Sequence, residues 1–422
     1  MDTHPEHRAA VSVKLLATLT ATYFFAGLSA LSFAPLLPFI QEEVVGNKAL
    51  LGMFTSCIYL GAVVSGFPAG WLADRWGVRK TLAVGMTIQG VALGLVVTQQ
   101  SITGMLLFVL VAGLGYGSVN PTTSKGVIIW FGSRWRSTAM AIKQMGFTVG
   151  TMTAAATLPV IARFAGWRLA VVLVAVAITG FGLLSYAFFP PAPSEGTVRP
   201  GVYPPGARAK TSVPIWKNGP ILFLGVLGLF FAAVQMSGTS YLSVYLVEKF
   251  AYSKVVAGMF LGVTQGAGML GRLVWSRISD LYFPDKRHRE IILVGLIASA
   301  ACIAFGLLPD STGMVVVGVI AAVFGFTAIG YNALFLTLVG EMSGPEKAGE
   351  AIGACVTIAY LGVVFATPLF GLSIEQFGYD TSWLLAGALL LLVNLATAVF
   401  WNPQAHLLHG QSVCTVPPTA EG

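Results

Sequence analysis

Apolar residues fill most of this chain in long runs that Gly, Pro or charged residues interrupt. Twelve runs are each long enough for a helix that crosses the roughly 30 Å hydrocarbon core of a bilayer. They lie at approximately residues 15–40, 49–70, 81–99, 104–130, 140–162, 169–189, 219–247, 255–277, 290–308, 313–340, 350–372 and 382–401. The pattern predicts an all-α membrane protein with twelve transmembrane helices.

One polar break is much longer than the others. Residues 190–218 carry a series of prolines that rule out a continuous helix. We therefore predict a six-helix bundle at 1–189, a cytoplasmic linker at 190–218, a second six-helix bundle at 219–401 and a cytoplasmic tail at 402–422. Residues 113–120 and 325–332 align weakly in matching helices, as expected of transporters built from repeats.

The composition supports a membrane protein and gives its orientation. The chain is 56% hydrophobic and 10% charged, whereas soluble domains carry roughly 25% charged residues. Alternate loops divide Lys and Arg at about 19 on one side against about 5 on the other, which predicts that both termini are cytoplasmic. The net charge of +7 follows from these loops and indicates no nucleic-acid partner.

Reactive and metal-binding motifs are missing from the sequence. The four cysteines have no spacing typical of zinc or a redox pair, and all five histidines lie outside the predicted spans. No nucleophile elbow, zinc-protease motif or phosphate-binding loop occurs. We expect no enzyme activity, no metal, no cofactor and no ATP-driven transport.

A short charged stretch separates the second and third apolar runs. Residues 70–80 combine glycines with one acidic and several basic residues, which are costly in hydrocarbon and mark a membrane face. The stretch resembles the loop between helices 2 and 3 of the major facilitator superfamily of secondary transporters. The matching residues are Gly70, Leu72, Asp74, Arg75, Gly77, Arg79 and Lys80.

This resemblance implies two pseudo-symmetric six-helix bundles that expose one site alternately to the two sides of the membrane, in a monomer without a cofactor. It also implies that charge pairing at the 70–80 loop holds the cytoplasmic side closed. The predicted gating residues are Gly70, Asp74, Arg75, Gly77, Arg79 and Lys80, with Arg136 as a partner for Asp74, Asp280 in a degenerate second copy of the loop, and Glu350 as a counter-charge.

Helix 4 carries the sharpest candidate for solute binding, Lys125. A lysine in a membrane helix usually faces a cavity or a partner, although Lys125 could instead extend to the cytoplasmic headgroups. Pro121 removes a backbone donor and frees a carbonyl oxygen. One helix face holds Ser118, Pro121, Thr122 and Lys125, and a neighbouring face holds Tyr116, Asn120, Thr123 and Ser124.

Helix 5 and the second half add further polar positions. Lys143 and Gln144 could face the same cavity, or Lys143 could be an interfacial anchor. In the second half the predicted substrate-binding residues are Gln235, Tyr241, Tyr331 and Asn332, each of which could instead serve helix packing. Arg272 is a further possible anion contact, although its place in the degenerate second loop is the favoured interpretation.

Helices 1, 4, 7 and 10 contain no central Asp or Glu, which disfavours a cationic solute. The sequence therefore predicts a secondary transporter that moves a small, carboxylate-like organic anion across the cytoplasmic membrane by alternating access, with a co-transported proton as an option. Helix 4–5 features, Asn120 with Pro121 and Trp130 with Phe131, resemble carriers of organic anions. Two alternatives stay open: efflux of hydrophobic drugs, and a scaffold or sensor that keeps the fold without transport.

Overall fold

The computed structural model describes residues 5–43, 47–131, 133–189, 218–283, 287–343 and 348–400. All regular secondary structure in these ranges is helical, and three of the continuous helical stretches are each divided by one glycine. Counted with those divisions, the described chain makes twelve helical passes. The predicted all-α fold with twelve helices is confirmed.

In the first half, helix 1 comprises Pro5–Ala30, the 3-10 turn Ala34–Leu36 and Leu37–Glu43. Lys48–Val96 contains helices 2 and 3, divided at Gly77, and helix 4 comprises Ile102–Gly117 and Val119–Trp130. Ser133–Phe188 contains helices 5 and 6, divided at Gly166. The predicted linker and tail lie almost entirely outside the described residues, so the domain boundaries remain predictions.

In the second half, helix 7 is Gly219–Phe250, helix 8 is Lys254–Tyr282 and helix 9 is Arg287–Leu307. Helix 10 comprises Met314–Phe324, the π-helical turn Gly325–Ile329 and Tyr331–Ser343. Ala348–Phe400 contains helices 11 and 12, divided at Gly378.

The three dividing glycines join neighbouring helices without a loop. Gly77, Gly166 and Gly378 have φ angles of 83°, 81° and 78°, a conformation that residues with a Cβ rarely adopt. A single residue therefore reverses the chain where the sequence pattern predicts polar connectors of several residues. The predicted gap at 373–381 is accordingly helical on both sides of Gly378.

Glycines allow helices 1 and 5 to approach closely. A Cβ added at Gly146 would overlap the carbonyl oxygen of Thr20, and one added at Gly150 would overlap that of Phe24. Small residues at such crossings let backbones pack directly in a membrane, where the hydrophobic effect does not drive helices together. Helix 5 is thereby fixed against helix 1 along the length that carries Lys143.

The helices define two ends of the molecule, which we name after nearby residues. The Lys48 end contains the start of helix 2, the end of helix 7 and the start of helix 8. The Asp74 end contains Gly77, the start of helix 5 and the end of helix 8. An aromatic core of Tyr245, Phe305 and Trp383 fills the second half.

We expect Gly150→Ala to destabilise the protein by about 1–3 kcal/mol, because the added methyl group overpacks the contact between helices 1 and 5. The matched control is Gly180→Ala, since a Cβ at Gly180 meets nothing within 4 Å. Thermal unfolding in detergent measures both variants. Equal unfolding temperatures for the two variants would contradict the proposed tight crossing.

Candidate functional site

Helix 4 is interrupted beside its proline. The helix breaks between Gly117 and Val119, and Pro121 contributes no N–H to the segment that follows. Next to this break, the Asn120 side-chain oxygen accepts a hydrogen bond from the Tyr23 hydroxyl of helix 1 and one from the Ser124 hydroxyl, at 3.3 Å. The break therefore lies where a polar side chain of helix 4 meets helix 1.

Lys143 is a fully buried cation next to this contact, with no exposed surface. Its Nζ donates to Ser124 Oγ at 2.9 Å and to Thr123 Oγ1 at 3.2 Å, and it lies 4.4 Å from the centroid of the Tyr23 ring. Lys143 is ten residues into helix 5 from Ser133, about 15 Å along the axis. Its ammonium is thus held inside the membrane by two hydroxyls and one aromatic ring.

Arg272 supplies a second cation from the other half. Its Nη1 donates to Thr148 Oγ1 of helix 5 at 2.7 Å, and its Nε donates to the Ile329 carbonyl at 3.5 Å. Arg272 is ten residues from Tyr282, again about 15 Å from the Asp74 end of its helix. Since Thr148 follows Lys143 by five residues, the two positions are about 7.5 Å apart along the axis of helix 5 and about 140° apart around it.

The π-helical turn of helix 10 offers carbonyl oxygens to helix 8. Ile329 accepts from Arg272, and Phe326 accepts from the Trp275 indole at 3.0 Å. Carbonyls in a regular α-helix are already used by the residue four positions on, so a π turn is a common way to make them available. Helix 10 thereby orients the guanidinium of Arg272 toward helix 5.

Tyrosines and amides complete this region. Tyr59 of helix 2 packs edge-on against Tyr360 of helix 11 and Tyr116 of helix 4, with ring centroids at 4.9 and 6.0 Å. The Asn332 amide nitrogen donates to Gln235 Oε1 at 3.1 Å. We call the whole set the central cluster; it comprises Tyr23, Tyr59, Tyr116, Asn120, Thr123, Ser124, Lys143, Thr148, Gln235, Arg272, Tyr331, Asn332 and Tyr360.

The central cluster is electropositive. Within the part of the chain that the structure describes, the hydrogen-bond partners of Lys143 and Arg272 are hydroxyl and carbonyl oxygens of neutral groups. Neither cation forms an ion pair among the described side chains. A buried charge without a counter-ion is costly.

Two predicted contacts lie elsewhere. The Lys125 ammonium donates to the Ala73 carbonyl of helix 2 at 2.7 Å and so ties helix 4 to the segment that precedes Asp74. The Tyr241 hydroxyl donates to the Lys48 carbonyl at the Lys48 end and does not join the central cluster. Thr122 is buried on the Lys125 face of helix 4, and Gln144 is half-buried beside Lys143. A role of Lys125 in solute binding stays a prediction.

The predicted gating loop is described in part. Gly77 provides the sharp reversal, Arg79 lies 3.9 Å from the centroid of the Tyr186 ring, and Arg75 lies 5.5 Å from that of Trp71. Gly70 and Lys80 lie on the helices either side of the reversal. The side chains of Asp74, Arg136, Asp280 and Glu350 lie outside what the structure describes. Gating at the Asp74 end therefore remains a prediction.

A second set of charges, which the sequence analysis did not identify as functional, joins the halves at the Lys48 end. Glu248 of helix 7 accepts from Lys48 Nζ at 2.5 Å and from Gln41 Nε2 at 2.8 Å, and Lys254 of helix 8 pairs with Glu42. Deeper in the membrane, the Thr55 and Ser240 hydroxyls hydrogen-bond across the halves at 2.8 Å. In the sequence these charges look like ordinary loop residues.

Contacts between the two halves extend from the Lys48 end into the central cluster. Hydrogen bonds and ring contacts between described side chains join the halves as far as Tyr59 with Tyr360 and Arg272 with Thr148. Asn120 of helix 4 is exposed even though it contacts helix 1. The structure therefore describes closure at the Lys48 end, and the state of the Asp74 end remains a prediction.

Two six-helix halves that meet around polar groups inside the membrane define the class of secondary transporters built from repeats. The family model described as Major Facilitator Superfamily matches residues 19–367 and, in a second match, residues 285–408. The chain belongs to this superfamily.

Relatives and solved structures agree with this family. The chain is 24% identical over 391 residues to the hexuronate transporter of Bacillus subtilis, which covers 89% of this chain and 90% of that protein. It is 25% identical over 412 residues to a probable sulfoacetate transporter of Cupriavidus necator, covering 92% and 93%. The crystal structure of a D-xylose-proton symporter superposes with a TM-score of 0.76 at 14% identity, covering 93% and 99%, and supports the fold alone.

We expect Glu248→Gln to open the Lys48 end more often, because neutralising the carboxylate removes its charge attraction to Lys48. The pair is partly exposed, so the loss is at most about 1 kcal/mol, or roughly fivefold in population. The measurement is the labelling rate of a cysteine at Thr55 by a membrane-impermeant maleimide, with the native cysteines replaced.

The control for this experiment is Asp310→Asn. Asp310 is a carboxylate at the same end that pairs with Lys249 inside the second half, at 3.8 Å. This control is expected to leave the labelling rate unchanged. Equal rates in both variants and in the parent would show that Glu248 does not contribute to closure.

Proposed function

We propose that this superfamily member transports a small organic anion, of the carboxylate or sulfonate class, across the cytoplasmic membrane. The observation that carries the proposal is the pair Lys143 and Arg272, one from each half, whose described partners are neutral. An anion that contacts both cations would supply the missing counter-charge and connect the two halves. The solute crosses unchanged, and the protein acts without a cofactor.

The two cations suit different parts of an anion. The guanidinium of Arg272 is planar and can hold two oxygens of a carboxylate or sulfonate at once, whereas the Lys143 ammonium acts as a point charge with three donors. Hydrogen bonds between ionised groups are roughly twice as strong as neutral ones. Both side chains already have donors in use, so a bound anion would compete with the hydroxyls of Ser124 and Thr148.

The neutral members of the central cluster would recognise the rest of the solute. Tyr59, Tyr116 and Tyr360 form an aromatic wall with polar edges, and the amides of Asn332, Gln235 and Asn120 lie on both halves. Such a lining combines apolar contact with a few directional hydrogen bonds, as is typical of small-molecule sites. It suits a solute of modest size that carries hydroxyl or carbonyl groups besides its charge.

The relatives are consistent with this class of solute. Those named above carry the printed descriptions of a hexuronate transporter and a probable sulfoacetate transporter, and both solutes are organic anions. Identities of 24% and 25% leave the specific solute of this chain open to experiment, so the proposal concerns the class.

Transport would proceed by alternating access between the two ends. The excess of basic residues in the Asp74-end loops supports a cytoplasmic location for that end and for both termini. In this orientation the ion pairs of Lys48 and Lys254 would close the outer side. Release of these pairs, with closure at the Asp74 end, would complete the cycle in a monomer.

The first test uses the purified protein with glucuronate and sulfoacetate as anionic probes and D-xylose as a neutral one. We expect at least one anion to raise the unfolding temperature and to enter proteoliposomes, because a ligand that binds only the folded state stabilises it. Failure of both anions, together with stabilisation by a neutral or cationic compound, would contradict an anion site.

In a second test, Lys143→Met and Arg272→Gln are each expected to weaken binding of the effective anion by roughly 10- to 100-fold. Loss of a hydrogen bond to a charged group costs about 1.5–3 kcal/mol. The control is Lys14→Met, which removes an exposed basic residue of helix 1. Isothermal titration gives the dissociation constants, and an unchanged constant in both cluster variants would remove these residues from the site.

A further inference from the structure

Lys143 differs from the other cations of the molecule in how it is held. Its ammonium is fully buried, and its described partners are two hydroxyls and one tyrosine ring. At the Lys48 end, the helix-end cations Lys48, Lys249 and Lys254 pair with carboxylates. Lysine changes its protonation state readily when it is buried, whereas arginine stays charged. The central cluster therefore contains one cation that can lose its charge and one that cannot.

The other titratable groups that the structure describes are poorly placed to carry a proton through the membrane. Carboxylates lie at the two ends, namely Glu42, Glu43, Glu248, Asp310, Glu375 and Asp380 at the Lys48 end and Glu290 and Glu341 at the Asp74 end. His288 lies in the first turn of helix 9 at the Asp74 end. Buried thiols belong to the apolar core, and tyrosine hydroxyls ionise only near pH 10.

We propose that Lys143 is the proton-carrying group of this transporter, cycling between ammonium and amine as the anion binds and leaves. The inference rests on the proposed anion transport and deepens it. Carboxylates and histidines commonly serve this purpose in membranes, but none is described in the central cluster. A lysine can replace them because its charged form binds the solute directly.

The proton balance of one cycle is simple. On the side of higher proton concentration, the Lys143 amine takes one proton from water and becomes an ammonium, which then binds the anion. After the halves change orientation, the anion leaves and the ammonium returns its proton to water on the other side. One anion and one proton cross together; for a singly charged anion such as glucuronate the loaded and the empty carrier have the same charge, and for doubly charged sulfoacetate they differ by one negative charge. Binding of either partner strengthens binding of the other by the same factor.

The surroundings of Lys143 fit this role from every helix packed against helix 5. Helix 1 contributes Tyr23, and helix 4 contributes the hydroxyls of Thr123 and Ser124. Lys125, beyond them on helix 4, is directed to the Ala73 carbonyl. Helix 8 contributes Arg272, which donates to Thr148, five residues beyond Lys143 on helix 5. An anion bound beside Lys143 would favour the ammonium, because opposite charges at short distance favour ionisation.

The hydroxyl partners also allow both forms of the side chain. Ser124 Oγ and Thr123 Oγ1 accept from an ammonium, and either hydroxyl can rotate to donate to the lone pair of an amine. A hydroxyl that turns in this way gives up its present acceptor, which is Asn120 Oδ1 for Ser124 and the Val119 carbonyl for Thr123. A carboxylate at either position would fix the ammonium in its charged form, because opposite charges at this distance favour ionisation.

The decisive experiment follows protons during binding. Protein in detergent and weak buffer, with a pH indicator, receives sulfoacetate or glucuronate, both of which are fully ionised at neutral and alkaline pH. We expect each bound anion to take up as much as one proton at alkaline pH, and the dissociation constant to rise roughly tenfold per pH unit there. A constant that stays flat with pH, without proton uptake, would overturn the role of Lys143.

The variant Lys143→Arg separates charge from protonation, because arginine keeps its positive charge and does not release its proton. We expect the anion binding and exchange that this variant retains to proceed without proton uptake and without the alkaline pH dependence of the parent, and accumulation driven by an imposed pH gradient to be lost. The matched control is Lys14→Arg, which should accumulate the anion like the parent. Gradient-driven accumulation that survives in Lys143→Arg would overturn the inference and leave anion transport intact.

The two proposals fail in different ways. If neither anion binds the parent protein and a neutral or cationic compound does, anion transport and proton coupling fail together. If an anion binds and exchanges but protons do not follow it, only the proton role of Lys143 fails. If Lys143→Arg does not fold, the pH dependence of the parent still decides, since it needs no variant.

Discussion

Positive charge inside the membrane is the constraint on which this structure depends. Burying an ammonium or guanidinium in hydrocarbon costs free energy, so the charge is stable there only where polar groups or a ligand replace its lost hydration. The protein surrounds Lys143 with hydroxyls and an aromatic ring, and Arg272 with a hydroxyl and a carbonyl. No carboxylate among the described contacts of these two cations completes this compensation, which is why we propose an anion as the solute.

The location of Arg272 links that constraint to the movement of the halves. Its guanidinium reaches from helix 8 to Thr148 of helix 5, so an anion at this point changes an inter-half contact directly. At the Lys48 end, ion pairs that are partly exposed hold the same halves together. Exposed pairs contribute little individually. Under the proposed transport, these weak ion pairs would allow solute binding to influence which end opens.

Much of the fold could be predicted from the sequence, because apolar runs and basic loops follow from the physics of the bilayer. The site was harder to predict. Pro121 in helix 4 indicated the right region, but not which face of helix 4 takes part in the cluster. In the structure Lys125 donates to the Ala73 carbonyl, whereas Lys143 donates to Ser124. Arg272 looked like a remnant of a repeated loop, and no local signal shows that a π turn in helix 10 would direct it inward. Such contacts depend on long-range packing.

The π turn Gly325–Ile329 has a structural consequence beyond its carbonyls. It contains one residue more than a regular turn, so everything after it is rotated by about 100° relative to what precedes it. That rotation lets Phe324 face the aromatic core near Trp383 while Asn332 faces Gln235. Deleting one residue from the turn would leave a continuous helix. Phe324 and Asn332 could then not both keep their present contacts. The extra residue of the π turn thus lets one helix present Phe324 to the aromatic core and Asn332 to Gln235.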